Sequence, residues 1–285
     1  MHPAVKIIEC PRDAMQGIHE FIPTEQKILY LNSLLQCGFD TLDFGSFVSP
    51  KAIPQMADTA EVLAQLDLTK TSSKLLAIVA NLRGAQDACK FDLIDYLGYP
   101  FSISENFQMR NTGKTIDESL VVLAQIIELA KLQGKELTVY ISMGFGNPYG
   151  DVWHPDLVAK WARKLIQMGV NTLSLSDTVG CANTATIRDL FSLLVPEFKE
   201  TSIGAHLHTT PLEATQKIVA AYASGCKRFD GAITGIGGCP MAQDELVGNM
   251  PTEKLLTFFE TKKVKHSLQP IQFEAAYNKA LDLFV

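Results

Sequence analysis

Short hydrophobic runs alternate with longer amphipathic segments along almost the whole chain. Most of the short runs are continuously apolar, which is typical of parallel strands covered on both faces. We predict strands at residues 5–10, 41–45, 74–81, 93–99, 136–143, 172–177, 203–208 and 228–234. The amphipathic segments predict helices at 24–37, 54–66, 83–90, 115–133, 155–168, 184–195, 210–224 and 252–260, and a last helix at 271–284.

Local signals mark the ends of several of these helices. Thr115 and Glu118 form a capping box at the start of the 115–133 helix, which stops before Gly134. Thr210 and Glu213 predict a second capping box, with Pro211 as the first helical residue. Both helices therefore have defined starting points.

Eight strand-then-helix units predict a (β/α)₈ TIM barrel with a C-terminal helical extension packed over it. The alternative is a doubly wound open sheet, which is disfavoured because no G-x-G-x-x-G segment follows the first strand. We find no linker, low-complexity tract or close repeat. Residues 1–285 are therefore expected to form one catalytic domain.

Composition and charge restrict the function classes. The 285 residues are 47% hydrophobic and 20% charged, and the formal net charge is −6. No run of Lys or Arg makes a basic patch, so nucleic acid is not the expected partner. No apolar run reaches the ~20 residues that span a bilayer, and the N-terminus lacks a signal-peptide core, so we expect a cytoplasmic protein without a membrane partner. The six cysteines include no C-x-x-C pair.

Polar side chains recur where the predicted strands end, which is where active sites of barrels lie. They are Arg12 and Asp13 after the first strand, Asp43 near the end of the second, Asp177 at the end of the sixth, His206 and His208 on the seventh, and Cys239 and Asn249 after the eighth. A purely structural distribution would place polar residues at both ends of the barrel.

The two histidines of "AHLHTT" face the same side of a strand and can reach one metal ion. The alternative is a pair of interior histidines that bond to neighbouring side chains. Because closure brings the first and eighth strands beside the seventh, Asp13 and Asn249 can converge on the pair. Two imidazoles, a carboxylate and an amide oxygen suit Mn²⁺, Mg²⁺, Co²⁺ or Zn²⁺.

The other strand-end residues each have two interpretations. Arg12 is either a salt bridge at the barrel rim or, next to a metal, a partner for a carboxylate or a developing enolate oxygen. Asp43 and Asp177 are either structural strand ends or catalytic groups. Cys239 is either an inert buried thiol or a reactive group carried over the site by the glycine-rich "GIGGCP" loop.

The ordered set of motifs resembles the 3-hydroxy-3-methylglutaryl-CoA lyase family of metal-dependent TIM-barrel lyases. The motifs are "PRDAMQ", "SFVSPKAIPQM", "SLSDTVG", "AHLHTT", and "GIGGCP" followed by Asn249, and the match runs along nearly the whole chain. The resemblance implies a Mg²⁺ or Mn²⁺ ion bound by Asp13, His206, His208 and Asn249. It also implies that the enzyme cleaves 3-hydroxy-3-methylglutaryl-CoA, or a related 3-hydroxyacyl-CoA, to acetyl-CoA and a 3-oxo acid such as acetoacetate.

The same resemblance suggests a role for each remaining candidate. Arg12 would stabilise the enolate, Asp43 stands where the family has a glutamate, and Asp177 matches a motif aspartate near the reacting centre. Cys239 matches a lid cysteine that takes part in proton transfer. Gln16 and Asn106 are the candidate substrate-binding residues, because "PRDAMQ" and "SENFQMRNTGKT" resemble family segments.

Several positions depart from the family pattern. Ala14 replaces the glycine of "RDG", Thr209 replaces the aspartate of "HxHD", and Asp43 is one methylene shorter than glutamate. Met143 and Asn147 stand where the family segment "CALGCPYEG" has cysteines. These changes bear on the exact acyl-CoA substrate more than on the type of reaction.

The leading function is therefore a metal-dependent carbon–carbon lyase that acts on an acyl-CoA substrate. The alternatives are an acyl-CoA condensing synthase, a 4-hydroxy-2-oxo acid aldolase on the same barrel, and a non-catalytic paralogue that binds a ligand. The synthases carry a long C-terminal region, whereas about 35 residues follow Asn249 here. We expect a homodimer, the commonest symmetric assembly.

Overall fold

Eight parallel strands close into a barrel in the order of the sequence. The computed structural model describes residues 5–238 and 247–284. The strands are β1 (Lys6–Glu9), β2 (Thr41–Ser46), β3 (Lys74–Ile78), β4 (Tyr96–Ser102), β5 (Glu136–Ser142), β6 (Thr172–Asp177), β7 (Ser202–Leu207) and β8 (Arg228–Gly231). The predicted TIM barrel is confirmed, and the open-sheet alternative is wrong because β1 pairs with β8.

Most of the helices cover the outside of the barrel, whereas the first one lies at its carboxyl end. The helices are α1 (Pro11–Gln16), α2 (Thr24–Leu35), α3 (Thr59–Leu63), α4 (Leu82–Ala88), α5 (Glu105–Thr112), α6 (Ile116–Leu132), α7 (Pro155–Gln167), α8 (Thr184–Glu197), α9 (Ala214–Ala223), α10 (Thr252–Thr261) and α11 (Pro270–Phe284). Short 3₁₀ turns cover Pro54–Met56 and Ile233–Gly235. Within the described ranges, no helix combines the length and apolar composition needed to cross a membrane.

The C-terminal extension is the helix α11, which packs against α2 on the outside of the barrel. The ring centroid of Phe284 lies 5.6 Å from that of Tyr30, and the ring centroid of Phe273 lies 6.4 Å from that of Phe39. The chain turns away from α2 at Gly38, where φ is +83°. A Cβ atom there would lie 2.4 Å from the carbonyl oxygen of Ser267, so only glycine fits between α2 and the segment leading to α11.

Two helix starts can be compared with their predicted caps. The capping box of Thr115 and Glu118 is present at the start of α6. The second predicted capping box is wrong, because α9 begins at Ala214 and no side chain caps it. The Thr210 hydroxyl instead faces the carboxylate of Glu213 at 3.4 Å, and residues 211–213 form a turn.

Candidate active site

The short helix α1 brings three polar side chains to the carboxyl end of the barrel. Pro11 occupies its first turn, where a missing N–H costs nothing, so the helix begins directly after β1. Arg12, Asp13 and Gln16 then line a cavity at this end of the barrel. Gln16 lies one turn beyond Asp13 and donates from Nε2 to its Oδ1 atom at 2.7 Å.

Arg12 is held by two carboxylates inside the barrel. Its Nε and Nη2 atoms donate to Asp43 at distances of 2.5 to 3.2 Å, and its Nη1 atom donates to Asp13 Oδ1 at 2.7 Å. These bonds use three of the five guanidinium N–H groups, which leaves two for a ligand in the cavity. Asp43 is fully buried beneath Arg12 and therefore orients the guanidinium.

His206 and His208 lie beside Asp13 at the same end of the barrel. One donor atom from each of these three residues falls within 4.8 Å of the donor atoms of the other two. The two imidazole rings are 5.3 Å apart, and both line the cavity, as expected for alternate positions on one strand. The sequence-based expectation that both rings point to one side is met, with His208 one residue beyond the end of β7.

Asn249 lies next to His208 because the backbones of the two residues pair. Residues 208 and 249 form an antiparallel bridge, which places the asparagine beside His208. Its Nδ2 atom donates to the carbonyl oxygen of Ile236 at 2.9 Å. With the amide nitrogen used in this way, the amide oxygen of Asn249 can serve as a ligand.

The ionisation states of Asp13 and His208 favour a bound cation. Burial is the largest single effect and raises the pKa of Asp13, but Arg12, the two histidines and Asn249 together outweigh it, so the pKa falls to about 2. Burial and the neighbouring His206 lower the pKa of His208 to about 4, so its imidazole is neutral and offers a lone pair. A carboxylate and a neutral imidazole are the forms that bind metal ions.

Two buried polar atoms of this group lack a hydrogen-bond partner among the described residues. They are Oδ2 of Asp13 and Nδ1 of His208. A buried polar atom without a partner costs roughly 1–3 kcal/mol, which a bound cation would offset. The donor set of Asp13, His206, His208 and Asn249 therefore fits a divalent ion such as Mg²⁺ or Mn²⁺.

The rest of the cavity is a mixed polar and apolar surface. Its described lining also includes Ser46, Val48, Ala52, Ile53, Ile78, Ala80, Pro100, Phe107, Asn111, Tyr140, Ser142, Ser176 and Thr178. The ring of Tyr140 packs edge-on against His206 at 5.5 Å. An apolar wall opposite charged groups suits an acyl chain that ends in a polar group.

Four described predicted site residues are not part of this cavity lining. Asp43 and Asn249 adjoin it through Arg12 and His208. Asp177 and Asn106 instead bond to groups elsewhere. Asp177 points to the outer side of β6, where its carboxylate pairs with Lys217 at 3.1 Å and accepts from the Ala182 N–H group at 3.0 Å. Asn106 lies near the start of α5, and its Nδ2 atom donates to Asp151 Oδ1 at 2.6 Å. Direct roles for these two residues stay predictions, and Cys239 lies outside the described residues.

Lys217 is a buried cation that the sequence analysis missed. Its Nζ atom on α9 contacts Asp177, the carbonyl oxygen of His208 at 2.8 Å and that of Gly180 at 3.3 Å. One side chain thus joins β6, the loop after it and the backbone of a candidate metal ligand. Burial raises the pKa of Asp177, and Lys217 is the main group that opposes this shift.

We expect Lys217→Met to lower the free energy of unfolding by about 3–5 kcal/mol, because it leaves the buried Asp177 carboxylate without its partner. Urea unfolding of the two proteins measures this difference. Lys164→Met, on the exposed face of α7, is the matched control and should change stability by less than about 0.5 kcal/mol. Equal stabilities of the Lys217 variant and the parent would contradict the assigned role.

Glu9 and Asp230 are two further buried acids that the sequence analysis missed. Glu9 accepts from the Ile233 N–H group at 2.7 Å and meets the Thr252 hydroxyl at 2.6 Å, so it ties β1 to both ends of the segment after β8. Asp230 is the register neighbour of His206, and its Oδ2 atom lies 3.2 Å from His206 Nδ1. Asp230 also pairs with Arg228 at 2.6 Å, for which Gly204 leaves room.

Glu9 predicts a pH dependence of stability. Burial raises its pKa from 4.5 to about 8, so between these values the folded chain holds a proton that the unfolded chain releases. This group should therefore lower the free energy of unfolding by up to about 1.4 kcal/mol for each unit of rising pH in that window. In Glu9→Gln, which keeps both hydrogen bonds, urea unfolding at several pH values should show a flatter profile. Parallel profiles for the two proteins would refute this assignment.

The family departures are accommodated locally. Ala14 lies within α1, so this position needs no left-handed backbone and carries no strain for that reason. The Asn147 side chain accepts from the N–H groups of Tyr149 and Asp151, which closes the loop after β5. The Thr209 hydroxyl donates to the Thr210 carbonyl oxygen at 2.9 Å.

The chain matches the HMGL-like family model over residues 4–278. It is 32% identical over 259 residues to a hydroxymethylglutaryl-CoA lyase of Bacillus subtilis, covering 91% of this chain and 86% of that one. It is 34% identical over 254 residues to the 3-hydroxy-3-isohexenylglutaryl-CoA/hydroxymethylglutaryl-CoA lyase of Pseudomonas aeruginosa, covering 88% and 83% of the two chains.

Solved structures of HMG-CoA lyases have the same fold as this chain. The B. subtilis HMG-CoA lyase superposes with a TM-score of 0.91 at 31% identity, covering 99% of this chain and 94% of that one. An HMG-CoA lyase from Acinetobacter baumannii, in complex with coenzyme A and 3-methylmalate, superposes with a TM-score of 0.90 at 27% identity, covering 98% and 90%.

Proposed function

This chain belongs to the HMGL-like family, and we infer from that membership and from the site that it is a lyase that cleaves 3-hydroxy-3-methylglutaryl-CoA. The products are acetyl-CoA and acetoacetate. The observation that carries the inference is the grouping of Asp13, His206 and His208 beside Arg12 in one cavity. The relatives described above are all lyases of this class, so the synthase, aldolase and binding-protein alternatives have no comparable support.

We propose that Asp13, His206, His208 and Asn249 hold one Mg²⁺ or Mn²⁺ ion. The unpartnered atoms of Asp13 and His208 support this ligand set. When bound, such an ion supplies Lewis-acid chemistry, which lowers the pKa of the substrate's tertiary hydroxyl group and favours its ionised form. Asp230 supports the set by holding the Nδ1 side of His206, as outer carboxylates do for metal-binding histidines.

Arg12 is the proposed electrostatic catalyst. After the hydroxyl proton leaves, the bond between C2 and C3 of the substrate breaks, and its electron pair remains on the departing acetyl-CoA unit as an enolate. The two N–H groups of Arg12 that bond to neither carboxylate are proposed to stabilise that enolate oxygen. Asp43 and Asp13 fix the guanidinium beforehand, so little reorganisation is needed during the reaction.

Further residues complete the proposal. Gln16 lines the cavity and is proposed to contact the substrate directly, and Cys239 is proposed to return a proton to the enolate carbon. The substrate is an acyl-CoA, consistent with the coenzyme A in the Acinetobacter lyase structure. We further propose a cytoplasmic homodimer with one catalytic domain, in line with the sequence-based expectation.

A coupled assay of acetyl-CoA release tests the activity. The purified chain is mixed with 3-hydroxy-3-methylglutaryl-CoA or its 3-isohexenyl analogue, in Mg²⁺, in Mn²⁺ or in EDTA. We expect turnover of at least one substrate with either ion, and loss of turnover in EDTA that added Mn²⁺ restores. Absence of cleavage of both substrates with both ions would disprove the proposed function.

A further inference from the structure

A second group of possible metal ligands lies beside the proposed catalytic group. Cys10, His206 and Asp230 each place one donor atom within 4.8 Å of the donor atoms of the other two. Cys10 follows β1 directly and is fully buried, and Asp230 faces His206 across the β7–β8 pairing. A thiol, an imidazole and a carboxylate form a donor set that suits Zn²⁺ better than Mg²⁺.

We propose that Cys10, His206 and Asp230 form an inhibitory site for a borderline-soft divalent ion such as Zn²⁺. This site and the Asp13–His206–His208 site exclude each other, because both need the same imidazole. The proposal goes beyond the lyase activity, and only its inhibitory part rests on that proposed function.

The exclusion follows from the chemistry of His206. A neutral imidazole has one nitrogen that carries a proton and one with a free lone pair. When Nδ1 carries the proton and donates to Asp230 at 3.2 Å, the lone pair of Nε2 is free for the catalytic ion. An ion bound to Nδ1 requires the proton to reside on Nε2, which then cannot bind a metal.

The binding step is balanced by the release of one proton. The Cys10 thiol loses its proton to solvent and forms a sulfur–metal bond, while the imidazole proton moves from Nδ1 to Nε2. Asp230 keeps its Oδ1 contact with Arg228. Its Oδ2 atom accepts from the Ser174 hydroxyl at 3.0 Å and has a second lone pair for the ion. Burial and the carboxylates of Asp230, Asp43 and Asp13 raise the pKa of Cys10, so the thiol stays protonated until a cation arrives.

Cobalt spectroscopy of the whole chain tests the site without any need for turnover. Co²⁺ is added to chelator-treated protein, and thiolate ligation is read as a near-ultraviolet charge-transfer band. We expect the band in the parent and in Cys239→Ala, and we expect its loss in Cys10→Ala. Cys10→Ser serves the same purpose if the alanine variant does not fold, because a hydroxyl gives no such band. A band that is missing from the parent, or that persists without Cys10, would overturn the proposal.

The inhibitory part is tested by Zn²⁺ titration of the Mg²⁺-supported reaction. Each protein is compared with its own activity before Zn²⁺ is added. The Zn²⁺ concentration that halves activity should be about 10- to 100-fold higher in Cys10→Ala than in the parent. Equal Zn²⁺ sensitivity would overturn the inhibitory role. If neither protein cleaves the substrate, the cobalt band still reports on the site, so the two failures remain distinguishable.

Discussion

Replacement of Arg12 by lysine is expected to lower kcat by about 10²- to 10³-fold, the usual loss when a donor to a developing oxyanion is removed. Lysine keeps the positive charge but has a single nitrogen. It cannot bond to Asp13 and Asp43 and still present two N–H groups to the substrate. Because the lost contact forms mainly in the transition state, KM should change much less than kcat.

The acetyl-CoA release assay measures both constants for Arg12→Lys. Arg163→Lys is a matched control, because Arg163 also makes a two-bond contact with a carboxylate, that of Glu197, but on the exposed surface. The control should keep the parent activity. If Arg12→Lys retained most of the parent kcat, the guanidinium would not be the group that stabilises the enolate.

Replacement of His208 by alanine is expected to weaken Mn²⁺ binding by at least about 100-fold, since loss of an outer-shell partner alone costs roughly 10- to 100-fold. His208 is fully buried, neutral by virtue of its lowered pKa, and has an unpartnered ring nitrogen. Its ring contacts that of His206, but its Nδ1 atom bonds to no described residue, so the barrel should lose little thermal stability. Turnover should fall together with the bound ion.

Electron paramagnetic resonance detects free Mn²⁺, so a titration of each protein with Mn²⁺ measures its affinity for the ion without substrate. His154→Ala is the control, because His154 caps α7 at a position apart from the lining of the cavity. That variant should bind Mn²⁺ like the parent. Parent-like Mn²⁺ binding by His208→Ala would remove His208 from the ligand set.

The barrel could be predicted because the strand-then-helix pattern occurs eight times along the chain. Most strands are buried and largely apolar, and each was placed within three residues of its observed bounds. β4 is displaced by three residues at both ends, predicted at 93–99 and found at Tyr96–Ser102, whereas β3 and β8 only end three residues early. Pro100 and Ser102 lower the strand propensity of the second half of β4, and only pairing with β5 over seven residues determines its true extent.

Site residues could be predicted from the sequence where they lie at the end of a strand and face the inside of the barrel. Asp177 shows the limit of that argument, because Ser174 and Ser176 face the barrel interior and strand alternation turns the next residue outward. Lys217 was missed since a lysine on an amphipathic helix usually lies in solvent. Its burial depends on Asp177, a partner 40 positions away that local patterns do not indicate.

The alternation of inward and outward side chains along β7 has an evolutionary consequence. Deletion of one residue between Ser202 and His206 would turn both imidazoles toward the surrounding helices while the barrel itself could still close. Lineages descended from this chain should therefore tolerate substitutions in β7 far more readily than insertions or deletions. A descendant with a shortened β7 is expected to be a stable barrel that has lost its cation and, with it, its chemistry.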